Sequence, residues 1–130
     1  MSALDDFLAL DDVKDVRQKI KEKINGKKFE FVIRPLTADE HKEFQKRAYT
    51  IGAKGKISFD VMKYKFLSVL NCVVEPDFSN ADFLSKAGCS TAEEFYEKKI
   101  PAGVIADLSE KIETLSGFEA YEAEVEEAKN

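Results

Sequence analysis

The side chains that most often perform chemistry are few in this chain and form no catalytic pattern. His41 is the single histidine, and it follows Asp39 and Glu40 at what looks like a helix start. A histidine beside carboxylates could act as a general base, but a base needs a nucleophile within hydrogen-bond reach. No Ser-His-Asp order is present, so we interpret His41 as a helix-surface residue. We expect no catalytic residue and no enzyme.

The sequence gives no better support for a metal site, a redox site or a phosphate-binding loop than for a catalytic histidine. Cys72 lies in an apolar stretch and Cys89 follows a glycine, a pair without zinc-ligand or redox spacing. We interpret both as reduced thiols of a cytoplasmic protein. Residues 52–56 (Gly-Ala-Lys-Gly-Lys) lack the spacing of a phosphate-binding loop and follow a predicted helix, so they indicate a flexible basic loop. We therefore expect no cofactor and no metal site.

Charge is distributed unevenly along the 130 residues, whose net charge is −5. Residues 13–35 contain eight Lys or Arg and three Asp or Glu, whereas residues 75–130 contain five and fourteen. This asymmetry predicts surfaces of opposite sign, which either attract partners or simply face one another in the fold. The first 12 residues carry four aspartates and no basic residue, which is unlike a signal peptide.

A β-hairpin is predicted at about residues 16–35. Asn25 and Gly26 suit a type I′ turn, since both of its central residues need positive φ. The two-residue loop then places Lys21 opposite Glu30 and sorts apolar from charged side chains. The predicted core face carries Ile20, Ile24, Phe29, Phe31 and Ile33, and the outer face carries Lys19, Lys21, Lys23, Lys28 and Glu30. The first arm also fits a helical spacing, so a helix entering the turn is the alternative.

The central element is predicted at residues 59–74, the longest apolar stretch. Its apolar residues recur at spacings of three and four, as in a core helix. The stripe comprises Phe59, Met62, Phe66, Leu70 and Val73, and Val69, Cys72 and Val74 widen it until the last two turns are apolar on most sides. Ser58 is the predicted N-cap. The stretch is too short, and too interrupted by Lys63 and Lys65, to span a membrane.

Four further helices follow from capping and breaking residues. Residues 37–40 (Thr-Ala-Asp-Glu) form a capping box that opens a helix to about residue 49. Its inward residues are Phe44, Ala48 and Ile51. Ser79 and Gly88 bound a short helix, and Ser90 or Thr91 opens another. Pro101 opens the last, which ends at Gly117 with Phe118 folding back onto Ile112. Its inner stripe is Val104, Ile105, Leu108, Ile112 and Leu115.

The predicted fold class is α+β, mostly α, with the hairpin packed on a bundle of about five helices around helix 59–74. Residues 16–118 are predicted as one globular domain, preceded by a flexible or docking segment at residues 1–15 and followed by an acidic tail at residues 119–130. Apolar side chains in the two acidic ends are the candidate partner-binding residues. They are Leu4, Phe7, Leu8, Leu10, Tyr121 and Val125.

Several motifs together resemble a known family. They are Ile-Arg-Pro-Leu-Thr-Ala-Asp-Glu at residues 33–40, Val-Val-Glu-Pro-Asp-Phe at 73–78, Ile-Pro-Ala-Gly at 100–103 and Leu-Ser-Gly-Phe at 115–118. In this order the chain resembles the XkdN-like tail assembly chaperones of phages and prophages of Gram-positive bacteria, over about residues 16–118. The family often has an acidic-aromatic pair where this chain has Val104 and Ile105.

The resemblance implies a non-enzymatic protein of the host bacterial cytoplasm that is absent from the finished virion. It implies two partners, the tape-measure protein and the tail-tube protein, and a homo-oligomer is possible. The terminal apolar residues are the predicted contacts with the tape-measure chain. A structural or adaptor protein that stays in the particle is the alternative function. A nucleic-acid module acting through the lysine-rich hairpin face is a third, but aromatic residues that could stack on bases are predicted on the opposite face.

Overall fold

The computed structural model describes residues 2–118. A three-stranded sheet and a separate two-stranded ribbon pack with the helices into an α+β fold that is mostly α, as predicted. The elements in chain order are α1 (Ala3–Leu8), β1 (Gln18–Ile24), β2 (Lys27–Ile33), α2 (Ala38–Ala48), β3 (Tyr49–Ile51), β4 (Ile57–Phe59), α3 (Val61–Cys72), β5 (Val73–Glu75), α4 (Ala81–Ala87), α5 (Ala92–Lys99) and α6 (Ala102–Leu115).

The N-terminal hairpin has the predicted register, with Lys21 opposite Glu30, and its first arm is a strand rather than a helix. Asn25 and Gly26 have φ values of 52° and 83°, as a type I′ turn requires. Phe29 lies on the predicted face, opposite the buried Glu22, but it is 40% exposed at a cleft that Phe83 of α4 and Phe95 of α5 also line.

The central helix is confirmed but shorter than predicted, and its buried face agrees with the prediction only at Val69 and Cys72. Asp60 rather than Ser58 is the N-cap, since its side chain accepts a hydrogen bond from the Lys63 amide. Phe59 and Val73 lie in strands that flank the helix. The buried face is made by Tyr64, Leu67, Ser68, Val69 and Cys72. Packing against both α2 and α6 selects this face over the apolar stripe.

The other helices follow their capping residues closely. Thr37 and Glu40 form the predicted capping box, and Thr91 caps α5 by accepting from the Glu94 amide. Asn80 caps α4 in place of Ser79, whose amide bonds the Asp77 carboxylate instead. Gly88 ends α4 with φ 72°. Within α6, the buried apolar residues are Ile105, Leu108 and Ile112.

Two short pairings were not predicted. β5 adds a third strand to the hairpin by pairing antiparallel with β2. β3 and β4 pair with each other in a region predicted as a helix end, a flexible loop and a helix start. Ile51, which was predicted to face inward from α2, is 78% exposed on this ribbon. The predicted loop is a tight connection, in which Lys54 and Gly55 both have positive φ.

Candidate partner-binding surfaces

The β3–β4 ribbon presents four large apolar side chains on one face. Its register places Tyr49 opposite Phe59 and Ile51 opposite Ile57. Because side chains alternate along a strand, these four share a face. Their exposed fractions are 55%, 39%, 78% and 67% in the order Tyr49, Phe59, Ile51 and Ile57. We call this set the apolar ribbon face.

The ribbon is held to the body of the protein at its base. The Asp60 amide donates to the Ala48 carbonyl at 2.8 Å, which joins the start of α3 to the end of α2. On the opposite side of the ribbon, the Thr50 and Ser58 hydroxyls bond each other at 2.7 Å. These hydrogen bonds fix the position of the apolar ribbon face relative to α2 and α3.

Exposed apolar side chains continue from the ribbon onto α3. Val61 and Met62 are 50% and 52% exposed. Contiguous exposed apolar surface on a folded domain commonly marks an interaction site, whereas single exposed residues do not. The ribbon and the start of α3 together form such a surface.

Charged residues of both signs surround this surface. Between residues 46 and 65 there are six Lys or Arg and one Asp. Arg47, Met62 and Lys63 line a cavity of about 480 Å³ on one side. Phe59, Val61 and Lys65 line one of about 380 Å³ on the other. Asp60, Glu93 and Glu97 also line the first cavity, and Glu113 lines the second, so the charges around this surface have both signs.

A row of aromatic rings leads from the end of α6 to the ribbon. The rings of Phe118 and His41 lie 4.9 Å apart, those of His41 and Tyr64 5.7 Å, those of Tyr64 and Phe59 6.0 Å, and those of Phe59 and Tyr49 5.1 Å. Phe118, which was predicted to fold back onto Ile112, has its ring against His41 of α2.

His41 is half-buried within this row rather than at the surface. Its Nδ1 lies 2.6 Å from the Tyr64 hydroxyl. Burial, then the nearby charge of Glu113, raises the pKa of Tyr64 to about 12, so the phenol is neutral and able to donate. This hydrogen bond orients both rings, and it places no nucleophile against His41.

A second apolar surface lies between the tip of the hairpin and α4–α5. The Phe78 ring stacks on Phe95 at 4.6 Å and also contacts Phe31 and Phe83. These rings border a cleft of about 370 Å³. Its lining includes Phe29, which lies on the predicted core face of the hairpin but is 40% exposed. Apart from Phe29, the rings of this cleft are less exposed than the side chains of the apolar ribbon face.

The N-terminal candidate residues lie on or just after a short helix, α1, which has no buried residue. The exposed fractions of Leu4, Phe7, Leu8 and Leu10 are 77%, 67%, 83% and 69%. Ser2 and Asp5 close a capping box at its start. These residues are free to contact a partner. Tyr121 and Val125, the other two candidates, lie outside the described residues.

The sequence contained a signal for the ribbon that the helical interpretation missed. Tyr-Thr-Ile and Ile-Ser-Phe each alternate apolar, polar and apolar residues around a glycine-rich turn. That is the pattern of a hairpin. It was overlooked because Ile51 also continues the helical period of Phe44 and Ala48.

Residues 2–118 offer few other groups that could bind a metal or act as a nucleophile. Across residues 2–118, no three His, Cys, Asp or Glu side chains gather where they could hold a metal ion, and no helix there is long and apolar enough to cross a membrane. Cys72 and Cys89 are buried free thiols. Burial raises the pKa of Cys72 to about 12, which makes it a poor nucleophile.

Comparison with known proteins gives one match. The family model described as phage XkdN-like tail assembly chaperone protein matches residues 4–129. No curated protein and no solved structure matches the chain.

Proposed function

The chain belongs to the XkdN-like family of phage tail assembly chaperones, and from this we propose that it binds the tape-measure protein and helps to bring tail-tube subunits to it during tail assembly. The role is non-enzymatic. It is carried out in the cytoplasm of the host bacterium, and the protein is left out of the finished virion.

The apolar ribbon face is the observation that best supports a client-binding role. A tape-measure chain is expected to be long and amphipathic, so its apolar stripe needs cover before the tail tube encloses it. Ile51 and Ile57 are among the most exposed large side chains of the fold. They gain most from burial against a client, about 25 cal/mol for each Å² of apolar surface removed from water.

The terminal residues are a second proposed contact. In this proposal α1 packs against the apolar stripe of the tape-measure chain, in the manner of helix-in-groove recognition. The contacting side chains are Leu4, Phe7, Leu8 and Leu10. Asp5 and Asp6 make α1 acidic, which suits a basic client segment.

The test is co-expression with the tape-measure protein encoded in the same phage or prophage genome. We expect the two chains to co-purify and the soluble fraction of the tape-measure protein to rise. The double variant Ile51→Ser/Ile57→Ser should lose most of the co-purifying client while remaining folded, because both side chains are exposed. Urea unfolding of the variant checks that its stability is retained.

Phe29→Ser is the matched control, since Phe29 is an exposed apolar residue on the separate aromatic cleft. We expect it to keep the client. Loss of client with Phe29→Ser alone would move the binding site to the cleft. If the unaltered chain neither binds nor solubilises the tape-measure protein, the proposed function is wrong.

A further inference from the structure

One side of the N-terminal hairpin is an open sheet edge. The strand order is β1-β2-β5, and within residues 2–118 β1 pairs with β2 alone. β1 is seven residues long, whereas β5, at the opposite edge, has three and is followed by Pro76. An edge strand presents unpaired N–H and C=O groups, to which another strand can be added. β1 is therefore the long edge of this sheet.

The unpaired backbone groups of β1 belong to its three lysines. The two-residue turn makes Ile24 and Lys27 a hydrogen-bonded pair, and such pairs alternate along an antiparallel ladder with pairs that do not bond each other. The register therefore directs the N–H and C=O groups of Lys19, Lys21 and Lys23 away from β2. All three residues are exposed, and their side chains share the outer face of the sheet.

The outer face beside this edge is predominantly basic. The register adds Lys28 and the acidic residues Glu30 and Glu75 to the face that carries the three β1 lysines. Lys21 lies opposite Glu30, but Lys23 lies opposite Lys28, and like charges at directly opposed positions repel each other. A carboxylate placed beside Lys23 would offset that repulsion. The connection that enters β1 carries both signs, in Asp11, Asp12, Lys14, Asp15 and Arg17.

The inner face of the same edge borders a cavity of about 350 Å³. Its lining within residues 2–118 comes from β1 and α6, so the cavity lies on the free side of β1. Lys111, the one cation in the lining, already pairs with Glu22 and Asp107. Side chains that enter this space from an added strand are therefore apolar or basic rather than acidic. The lining residues are Gln18, Ile20, Asp107, Glu110, Lys111 and Thr114.

We propose that the β1 edge binds an extended acidic segment of a partner protein as a fourth strand of this sheet, by β-strand addition. The acidic side chains of the segment alternate with apolar ones. The acidic ones lie beside Lys19, Lys21 and Lys23, and the apolar ones enter the cavity beside Ile20.

Two other occupants fit the edge less well. A second copy of β1 would set its lysines against those of the first, which like-charge repulsion opposes. A nucleic acid would contact the lysines but would leave the backbone groups of the edge unpaired. The acidic strand satisfies both the charges and the open ladder. This inference goes beyond the proposed function and does not need the tape-measure protein.

The test adds an end-blocked peptide, Gly-Glu-Val-Glu-Val-Glu-Gly, to the ¹⁵N-labelled full chain. We expect the amide signals of Lys19, Lys21 and Lys23 to shift. Their exchange with solvent, measured by NMR, should slow about tenfold near saturation, because their outward N–H groups become hydrogen-bonded. Amides of the apolar ribbon face should keep their positions, which separates this edge from the surface proposed for the client.

Peptide controls separate strand addition from charge attraction. The scrambled peptide Gly-Val-Glu-Glu-Glu-Val-Gly has the same charge without the alternation, and it should protect none of the three lysine amides. Methylating the backbone nitrogen of the central Glu in the alternating peptide should abolish protection as well, since it removes a donor from the new ladder.

Lys23→Glu tests the basic edge without weakening the hairpin, because it replaces the repulsion with Lys28 by an attraction. We expect it to weaken peptide binding roughly tenfold. Lys63→Glu is the matched control: it makes the same charge change at an exposed position on α3 and should leave binding unchanged.

Four results would overturn the proposal. The first is the absence of shifts and protection at the three lysines up to the solubility limit of the peptide. The second is equal protection by the alternating and scrambled peptides. The third is tighter binding of an oligothymidylate of equal charge at the same face, which would assign the face to nucleic acid. The fourth is a shift of the same amides on concentrating the free chain, which would assign the edge to a second copy.

Discussion

Glu40 combines two stabilising roles at the start of α2. Its carboxylate accepts a hydrogen bond from the Thr37 amide at 3.0 Å, which completes the capping box. It also accepts two from the Arg34 guanidinium, at 2.8 and 2.7 Å. Both side chains of this ion pair are largely buried. The hydrogen bonds from Arg34 hold the pKa of Glu40 at about 2, against burial, which raises it.

Glu40→Gln should therefore destabilise the fold in a pH-dependent way. The folded-state pKa lies below the unfolded value of 4.5, so the stabilisation is present above about pH 4.5 and is lost as the pH falls towards 2. We expect the variant to lose about 2–3 kcal/mol of unfolding free energy at pH 7. Urea unfolding should show the gap between the two proteins narrowing by more than half at about pH 3.

Glu43→Gln is the control, because Glu43 is exposed on the same helix. Its unfolding free energy should stay within about 0.5 kcal/mol of the unaltered protein. A gap for Glu40→Gln that remained constant from pH 7 to pH 3 would show that the carboxylate charge contributes nothing.

At the scale of elements, an ion pair joins the hairpin to α6. Lys111 Nζ lies 3.0 Å from Glu22 Oε1 and 2.9 Å from Asp107 Oδ2. Glu22 is only 8% exposed, on the face of β1 that packs towards the helices. Burial, followed by the hydrogen bond with Asp107, raises the pKa of Glu22. The Lys111 ammonium group offsets the repulsion between the adjacent carboxylates of Glu22 and Asp107.

Lys111→Met should destabilise the protein by about 1–3 kcal/mol at pH 7, because a buried carboxylate loses its partner. The loss should shrink as the pH falls and Glu22 takes up a proton. Adding Glu22→Gln should recover part of it. Urea unfolding measures each change. Lys98→Met is the comparison, since Lys98 and Glu94 form an exposed pair expected to contribute less than about 1 kcal/mol. Equal losses in the two Met variants would contradict this account.

At the scale of the whole molecule, core and exposed apolar surface are segregated. Leu108 and Ile112 of α6 are completely buried, and α6 packs on α3. The ribbon, the aromatic cleft and α1 leave large apolar side chains in solvent at three separate places. A protein that assembles into a particle would bury such surfaces permanently, whereas a chaperone covers its client with them and then leaves.

Mass spectrometry of purified tails tests this difference. We expect the chain to be missing from finished tails and present with the tape-measure protein in lysates taken during assembly. Recovery in finished tails in proportion to a structural subunit would favour the alternative of an adaptor that stays in the particle.

Much of the fold could be predicted because its signals are local. The hairpin register follows from the turn at Asn25 and Gly26 together with alternation of side chains. The caps at Thr37 and Thr91 follow from a hydroxyl placed three residues before a glutamate. Each of these depends on atoms only a few residues apart, so one sequence contains the whole interaction.

Features that depend on distant residues were less accessible to prediction. The sequence pointed to the termini as contact sites; Leu4 and Phe7 are exposed, and their contact with a partner stays a prediction. The ribbon was not predicted because Ile51 also continues the helical period of Phe44 and Ala48, and strands of three residues are too short to outweigh it. The ion pairs of Glu22 with Lys111 and of Arg34 with Glu40 were also not predicted. Lys111 lies on a helix that is distant from Glu22 in the sequence.

For the central segment at residues 59–74, the sequence by itself determined that a buried helix forms, because its apolar density leaves no other stable arrangement. Only the tertiary structure decided where that helix starts and which face it buries. The Asp60 amide bonds Ala48 across the base of the ribbon, so Phe59 is held in a strand. The contacts with α2 and α6 then bury Tyr64 and Cys72, and Met62 stays in solvent on the surface proposed to bind a partner.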